Sequence, residues 1–148
     1  MSQSDLEDFL NQRKIACSNL DKKEIYRLRQ EWRSVFSICL HQQTGKWRIG
    51  DIDWHTFSYK HAVHVGGAKA QDSYKSISGM SEIVIIDENA GIGFRCTVGE
   101  LPDLTEIGRD LYVFPISLDW TMVFTHEQDF GPYFSRKEWQ SNYEKKKL

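Results

Sequence analysis

The chain has 148 residues, 40% of them hydrophobic and 27% charged, and this length and composition fit one globular domain rather than two. A domain of this size buries roughly two-thirds of the surface of its unfolded chain, so folding requires neither a metal nor disulfides. The formal net charge of −2 argues against a nucleic-acid-binding protein that relies on bulk positive charge.

Helical patterns dominate the first 41 residues. Ser4 and Glu7 have the spacing of a capping box at the start of a short amphipathic segment. Asn19 or Asp21 can cap a second, longer helix that ends near His41. Its apolar residues recur every three or four positions, as Ile25, Leu28, Trp32, Val35, Phe36 and Cys39.

Beyond position 47 the pattern becomes that of strands. The run W-H-T-F-S-Y at 54–59 predicts extended structure. Residues 82–87 and 92–98, joined by a turn, predict a β-hairpin. The other predicted elements are a break at Val65-Gly66-Gly67, helices at 68–77 and 101–108, strands at 110–115 and 119–126, and an end of the sheet at Gly131-Pro132.

These elements predict a single α+β domain over residues 1–148, with a mainly antiparallel sheet and N-terminal helices. We expect a helical segment at 1–41, a sheet-rich segment at 47–134, and a charged C-terminal helix or tail at 135–148.

Location and redox state are predicted from apolar runs and cysteines. No window approaches the roughly 18 consecutive apolar residues of a membrane span. The N-terminus lacks the basic start and apolar core of a signal peptide, so we expect a soluble cytoplasmic protein without a membrane partner. Cys17, Cys39 and Cys96 have the spacing of neither a disulfide framework nor a zinc motif, and we expect reduced thiols.

The histidines are the first candidates for a catalytic or metal site. His61 and His64 form H-x-x-H, but the segment around them does not have a helical pattern that would place both rings on one side. His55 and His126 could approach each other in the fold. No nucleophile motif and no phosphate-binding glycine motif occurs, so we expect no catalytic residue, no metal and no cofactor.

The charge is unevenly distributed along the chain. Residues 81–135 carry 10 acidic and 2 basic side chains, and the segments on either side are basic. Only Arg95 and Arg109 are available within this segment as internal partners, so a solvated acidic surface is expected. Such a surface repels nucleic acid and attracts a basic protein. The candidate partner-binding residues are Asp87, Glu88, Glu100, Asp103, Glu106, Glu127 and Asp129, with Phe130 and Tyr133 as aromatic anchors.

Two motifs carry a resemblance to a known group of proteins. W-H-x-F-S-Y begins at Trp54, and T-H-E-x-x-x-G-P-Y-F spans Thr125 to Phe134. Together they resemble a family of small uncharacterised bacterial proteins. Its members look like the immunity proteins of contact-dependent growth-inhibition or other polymorphic toxin systems. The resemblance implies a non-enzymatic protein that binds and blocks one cognate toxin domain, in many such systems a basic nuclease.

Two alternatives remain open at the level of sequence. One is a small hydrolase or metal-dependent enzyme that uses His55, His126 and Glu127, although a His-Glu dipeptide in a strand points its side chains to opposite faces. The other is a regulatory module that binds another protein.

Overall fold

The helices precede and interrupt a single sheet. The computed structural model describes residues 5–78, 81–127 and 131–141. The helices are α1 (Asp5–Gln12), α2 (Lys22–Phe36), α3 (Ile38–Thr44), α4 (His55–Ser58) and α5 (Ala68–Lys75), with a 3-10 turn at Thr105–Ile107.

In the described part of the chain, seven strands form the sheet, and every neighbouring pair is antiparallel. The strands are β1 (Ala16–Asn19), β2 (Val65–Gly66), β3 (Ser81–Asp87), β4 (Ile92–Val98), β5 (Leu111–Pro115), β6 (Trp120–Phe124) and β7 (Tyr133–Arg136). Their order across the sheet is β1-β4-β3-β5-β6-β7-β2. The predicted α+β class, with a mainly antiparallel sheet and N-terminal helices, is confirmed.

Two hydrophobic clusters cover the two faces of the sheet. Because side chains alternate along β3, Ile83 and Ile85 join the cluster that contains α1 and α5, and Val84 and Ile86 join the cluster that contains α2 and α4. The strands in the middle of the sheet are therefore buried on both sides.

Helix α2 begins where a local capping pattern places it. The Asp21 carboxylate accepts the backbone N–H of Glu24 at 2.8 Å, and the Glu24 side chain accepts the N–H of Asp21, forming a capping box. The predicted single helix is wrong near its end, because the chain breaks at Ser37 and restarts as α3. The other predicted capping residue, Ser4, lies outside the described residues.

The Ile25 side chain of α2 approaches the backbone of β4 closely at Gly93. A Cβ at Gly93 would lie 3.3 Å from the Ile25 side chain and 3.3 Å from the Ile85 carbonyl. Gly93 therefore allows α2 to pack directly on β4.

The extended structure predicted at 54–59 is wrong, because these residues enter the short helix α4. Trp54 and Phe57 are both buried, a spacing of three that one helical turn satisfies and strand alternation does not. Both rings pack against Tyr133 of β7, at centroid distances of 5.9 and 5.8 Å.

Three short strands were absent from the prediction. β1 occupies part of the segment expected to be helical, β2 lies where a chain break was expected, and β7 follows Gly131-Pro132, which therefore does not end the sheet. The helix predicted at 101–108 is reduced to the 3-10 turn. Of the predicted C-terminal helix, residues 139–141 are helical and residues 142–148 lie outside the described part of the chain.

The cysteine prediction is also wrong for two of the three residues. Cys17 of β1 lies opposite Cys96 of β4 in the strand register, and the two form a disulfide. Strand pairing brings together residues that are 79 apart in sequence, which spacing does not reveal. Cys39 is a buried free thiol.

Candidate functional site

The predicted acidic residues separate into an exposed set and a buried set. Glu100, Asp103, Glu106 and Glu127 are exposed. Asp87 is completely buried and Glu88 is only 9% exposed. The predicted surface therefore loses the two acids at the β3–β4 turn.

The predicted aromatic anchors also have different outcomes. Tyr133 is buried in β7 against Trp54 and Phe57, so it is not an exposed anchor. Asp129 and Phe130 lie outside the described residues.

Asp87 holds the start of the β3–β4 turn. It accepts hydrogen bonds from Arg109 Nε at 2.5 Å and Nη2 at 3.2 Å, and from the backbone N–H of Ala90 at 3.1 Å. Its charge is therefore used inside the fold and is unavailable to a partner.

Glu88 is part of a buried polar network. One carboxylate oxygen accepts the Tyr112 hydroxyl at 2.7 Å. The other accepts Arg29 Nη2 and the backbone N–H of Asp53, both at 3.0 Å. The Tyr112 oxygen in turn accepts the backbone N–H of Trp54 at 2.8 Å.

Asp53 connects the two arginines of the same network. Arg33 donates to it through Nε at 2.8 Å and Nη2 at 3.2 Å, a bidentate ion pair in which both side chains are less than 10% exposed. Arg29 donates Nη2 to Asp53 at 3.1 Å. Arg95 and Arg109 are the basic residues within segment 81–135, and the fold adds Arg29 from outside it as a partner of Glu88.

Burial controls the electrostatics of this network. Burial, with a contribution from the nearby Asp53 charge, raises the pKa of Glu88 to about 7. Burial also raises the pKa of Tyr112 well above its ordinary value, with Glu88 adding to the shift. The phenol therefore remains the hydrogen-bond donor of the pair at neutral pH.

A second cluster lies at the end of β6. Asp110 is completely buried, and its Oδ1 accepts both the backbone N–H of His126 at 2.9 Å and the ring Nδ1–H at 2.8 Å. The ring Nε2 lies 3.4 Å from Glu127 Oε1. The hydrogen bond to Asp110 is the main reason that the pKa of His126 is raised, and Glu127 adds to it.

His126 and Glu127 line an open cleft of about 320 Å³. The remaining lining residues are Thr105, Glu106, Gly108, Phe124, Thr125, Gly131 and Pro132. The expected opposition of the His126 and Glu127 side chains is wrong, because β6 ends at Phe124 and both residues lie in the following loop.

Within the described residues, His55 makes no hydrogen bond to this cluster. Its Nδ1 is 3.0 Å from Ser58 Oγ, and the Trp54 ring contacts both imidazoles, with centroid distances of 4.6 Å to His55 and 6.4 Å to His126.

The remaining predicted histidine candidates also have local partners. His61 Nδ1 is 3.0 Å from Gln43 Oε1, and His64 Nδ1 donates to the Ala62 carbonyl at 2.8 Å. Within residues 5–78, 81–127 and 131–141, no three His, Cys, Asp or Glu side chains are grouped as metal ligands.

The sequence did not indicate Asp110 and Tyr112 as site residues, or the pairing of Asp53 with two arginines of α2. The nearest local indication was the i, i+4 pair of Arg29 and Arg33 on an otherwise amphipathic helix. Their acidic partners are 20 to 59 residues away, so only the folded chain reveals the network.

The comparisons with known proteins identify a family. Residues 4–134 match the family described as a domain of unknown function (DUF4275), and the chain belongs to this family. No curated protein and no solved structure matches the chain. None of the helices in the described part of the chain has the length and apolar character needed to cross a membrane.

Proposed function

We propose that this member of the DUF4275 family is a toxin-neutralising immunity protein, which binds and blocks a cognate, basic toxin domain in the bacterial cytoplasm. The observation that carries the proposal is the pair of exposed carboxylates, Glu106 and Glu127, that line the cleft beside β6. Such a pair attracts a basic protein and repels nucleic acid.

Further acidic residues extend this surface. The ion pair between Arg13 and Glu106, at 3.3 Å, connects the end of α1 to the loop before β5, and the Glu106 side chain stays 67% exposed and accessible to a partner, unlike Asp87. Helix α1 also contacts the 3-10 turn at Thr105–Ile107 directly. Asp5, Asp8 and Asp103 are exposed, so the acidic surface continues along α1 and this loop.

The cleft supplies the contacts that charge alone does not. A lysine or arginine of the toxin would pack its aliphatic stem against Phe124 and Pro132 and place its charge between Glu106 and Glu127. Buried contact of this kind gives affinity, and the surrounding carboxylates accelerate association.

The test requires the product of the toxin gene next to the gene for this chain. We expect the purified chain to bind that product and to protect cells from it. The double variant Glu106→Lys/Glu127→Lys should weaken binding by at least about tenfold and reduce its dependence on salt.

Glu138→Lys is the matched control, since this exposed acid follows β7 at the opposite end of the sheet from the cleft. It should bind like the unmodified chain. Absence of binding and protection would reject the proposal. The remaining protein-binding hypothesis would then be a regulatory module with another partner.

A second candidate function is acid–base catalysis by His126. Its support is the Asp110–His126 pair, in which a buried carboxylate fixes the tautomer of an imidazole at an open cleft, as in many hydrolases. This candidate predicts turnover in a screen of ester, phosphoester and glycoside substrates that His126→Gln abolishes. Turnover that survives His126→Gln would reject it.

A further inference from the structure

A basic groove lies on the opposite face of the sheet from α1. It has a volume of about 570 Å³ and lies between α2, the β3–β4 turn and the segment that carries Arg48. It is lined by Lys22, Ile25, Tyr26, Arg29, Gln30, Arg33, Arg48, Ala90 and Gly91. Four cations and no carboxylate line it, and its volume is in the range of sites for small ligands.

The arginines of the groove are held in place from behind. Arg29 and Arg33 each donate Nε and Nη2 to Asp53, and Arg29 Nη2 also reaches Glu88. The Nη1 group of each arginine has no hydrogen-bond acceptor within the described residues. A guanidinium fixed along one edge by a carboxylate retains donors on its other edge for an oxyanion, with little further loss of side-chain entropy.

The acids behind the arginines do not neutralise the groove. Lys22 and Arg48 have no ion pair with any described residue, so they add to its positive charge. Burial raises the pKa of Glu88 to about 7, so this carboxyl is only partly ionised at neutral pH. The groove therefore keeps a positive charge that an anionic ligand would balance.

An aromatic ring lies beside these cations. Tyr26 is 67% exposed, the most exposed large hydrophobic residue in the described chain, and it is one helical turn from Lys22 and from Arg29 on the same face of α2. An exposed ring next to phosphate-binding cations is suited to stacking with a base.

We propose that this groove binds a nucleotide, with its phosphates on the four cations and its base on the Tyr26 ring. Its volume of about 570 Å³ is in the range of sites that hold a single small ligand. This proposal concerns a different face of the protein from the proposed toxin-binding cleft and does not depend on it.

Isothermal titration of the full chain tests the proposal, with ATP and inorganic pyrophosphate as the probes. Both should bind. Lys22→Ala and Arg48→Ala should each weaken both probes by roughly fivefold or more, since each removes a charge-assisted contact. Tyr26→Ala should weaken ATP by about tenfold and leave pyrophosphate within about twofold, because only ATP carries a base.

Two exposed residues outside the groove give matched controls. Lys23→Ala changes a neighbouring lysine of α2, and Tyr59→Ala removes a ring that is 59% exposed; neither should affect binding. Failure of ATP to bind would overturn the site. An affinity for both probes in Lys22→Ala and Arg48→Ala that equals that of the unmodified chain would also overturn it. Equal losses of ATP and pyrophosphate on Tyr26→Ala would overturn the base contact. Tighter binding of a single-stranded oligonucleotide or of an acidic peptide than of ATP would overturn the nucleotide assignment.

Discussion

The phenolic oxygen of Tyr112 lies 2.7 Å from Glu88 Oε1 and 2.8 Å from the backbone nitrogen of Trp54, so it donates to the carboxylate and accepts from the main chain. This one side chain of β5 therefore connects the end of β3 to the start of α4. Because Glu88 also accepts from Arg29, the same contact extends to α2. The polar network thus holds the helical layer in position on the sheet.

Glu88→Gln should alter the pH dependence of stability. The pKa of Glu88 is about 7 in the folded chain, above its ordinary 4.5, so the native state binds more protons than the unfolded state between these values. The contribution of this group to the free energy of unfolding is complete below pH 4.5 and is lost as the pH rises through 7. The loss is on the order of 3 kcal/mol, since the pKa rises from 4.5 to about 7 and one pKa unit corresponds to about 1.4 kcal/mol.

Urea unfolding of both proteins from pH 4.5 to pH 8 provides the measurement. Glu88→Gln should show a flatter profile over this window than the unmodified chain. Glu82→Gln, at an exposed position of β3, should leave the profile unchanged. Parallel profiles for the Glu88 variant and the unmodified chain would contradict the assigned pKa.

Asp53→Ala should be strongly destabilising. It removes both acceptors of the buried bidentate bond from Arg33, whose side chain is 9% exposed, and leaves that cation without a carboxylate. Removal of one partner of a buried pair costs about 3–5 kcal/mol. Chemical denaturation measures this loss. Glu31→Ala breaks an exposed pair with Arg27 and should cost at most about 1 kcal/mol. Equal losses in the two variants would contradict the structural role of Asp53.

Local sequence patterns predicted those elements whose structure is determined by residues within the element itself. The β3–β4 hairpin follows from two β-branched and aromatic runs joined by a turn, and the start of α2 follows from the capping residue Asp21. β1, with the sequence A-C-S-N, has no run of β-branched or aromatic residues, and three of its four residues are exposed. Its pairing with β4 determines its conformation, and no neighbouring residue in sequence indicates that pairing.

The candidate sites were less predictable than the fold for a related reason. Asp87 and Glu88 sit beside a turn, where exposure is the ordinary expectation, and only tertiary contacts bury them. Arg29 is 59 residues from Glu88, and Asp110 is 16 residues from His126. Charge counted along a segment therefore overestimates an acidic surface when distant basic residues fold onto it.

Asp110→Asn should lower the pKa of His126. The Asp110 carboxylate accepts the Nδ1–H at 2.8 Å and favours the charged imidazole, so the pKa of His126 in the unmodified chain lies above 6.5. The resulting stabilisation is complete below pH 6.5 and is lost as the pH rises through the folded value. It is small, because the side chain is 39% exposed.

Titration of the His126 ring by NMR measures this shift directly. His61, whose ring Nδ1 lies 3.0 Å from Gln43 Oε1 and which does not contact Asp110, provides an internal reference that should not move. An unchanged His126 titration in Asp110→Asn would show that the carboxylate does not control the imidazole.

Loss of the Cys17–Cys96 disulfide should release β1 from the edge of the sheet. The bond closes a separation of 79 residues, and its removal should cost about 2–5 kcal/mol. β1 buries little of its own surface, so its amide protons should exchange faster in Cys17→Ser/Cys96→Ser. Cys39→Ser changes a thiol outside this bond and should leave β1 exchange unaltered. Equal exchange rates in the double variant and the unmodified chain would contradict a role of the disulfide in holding β1.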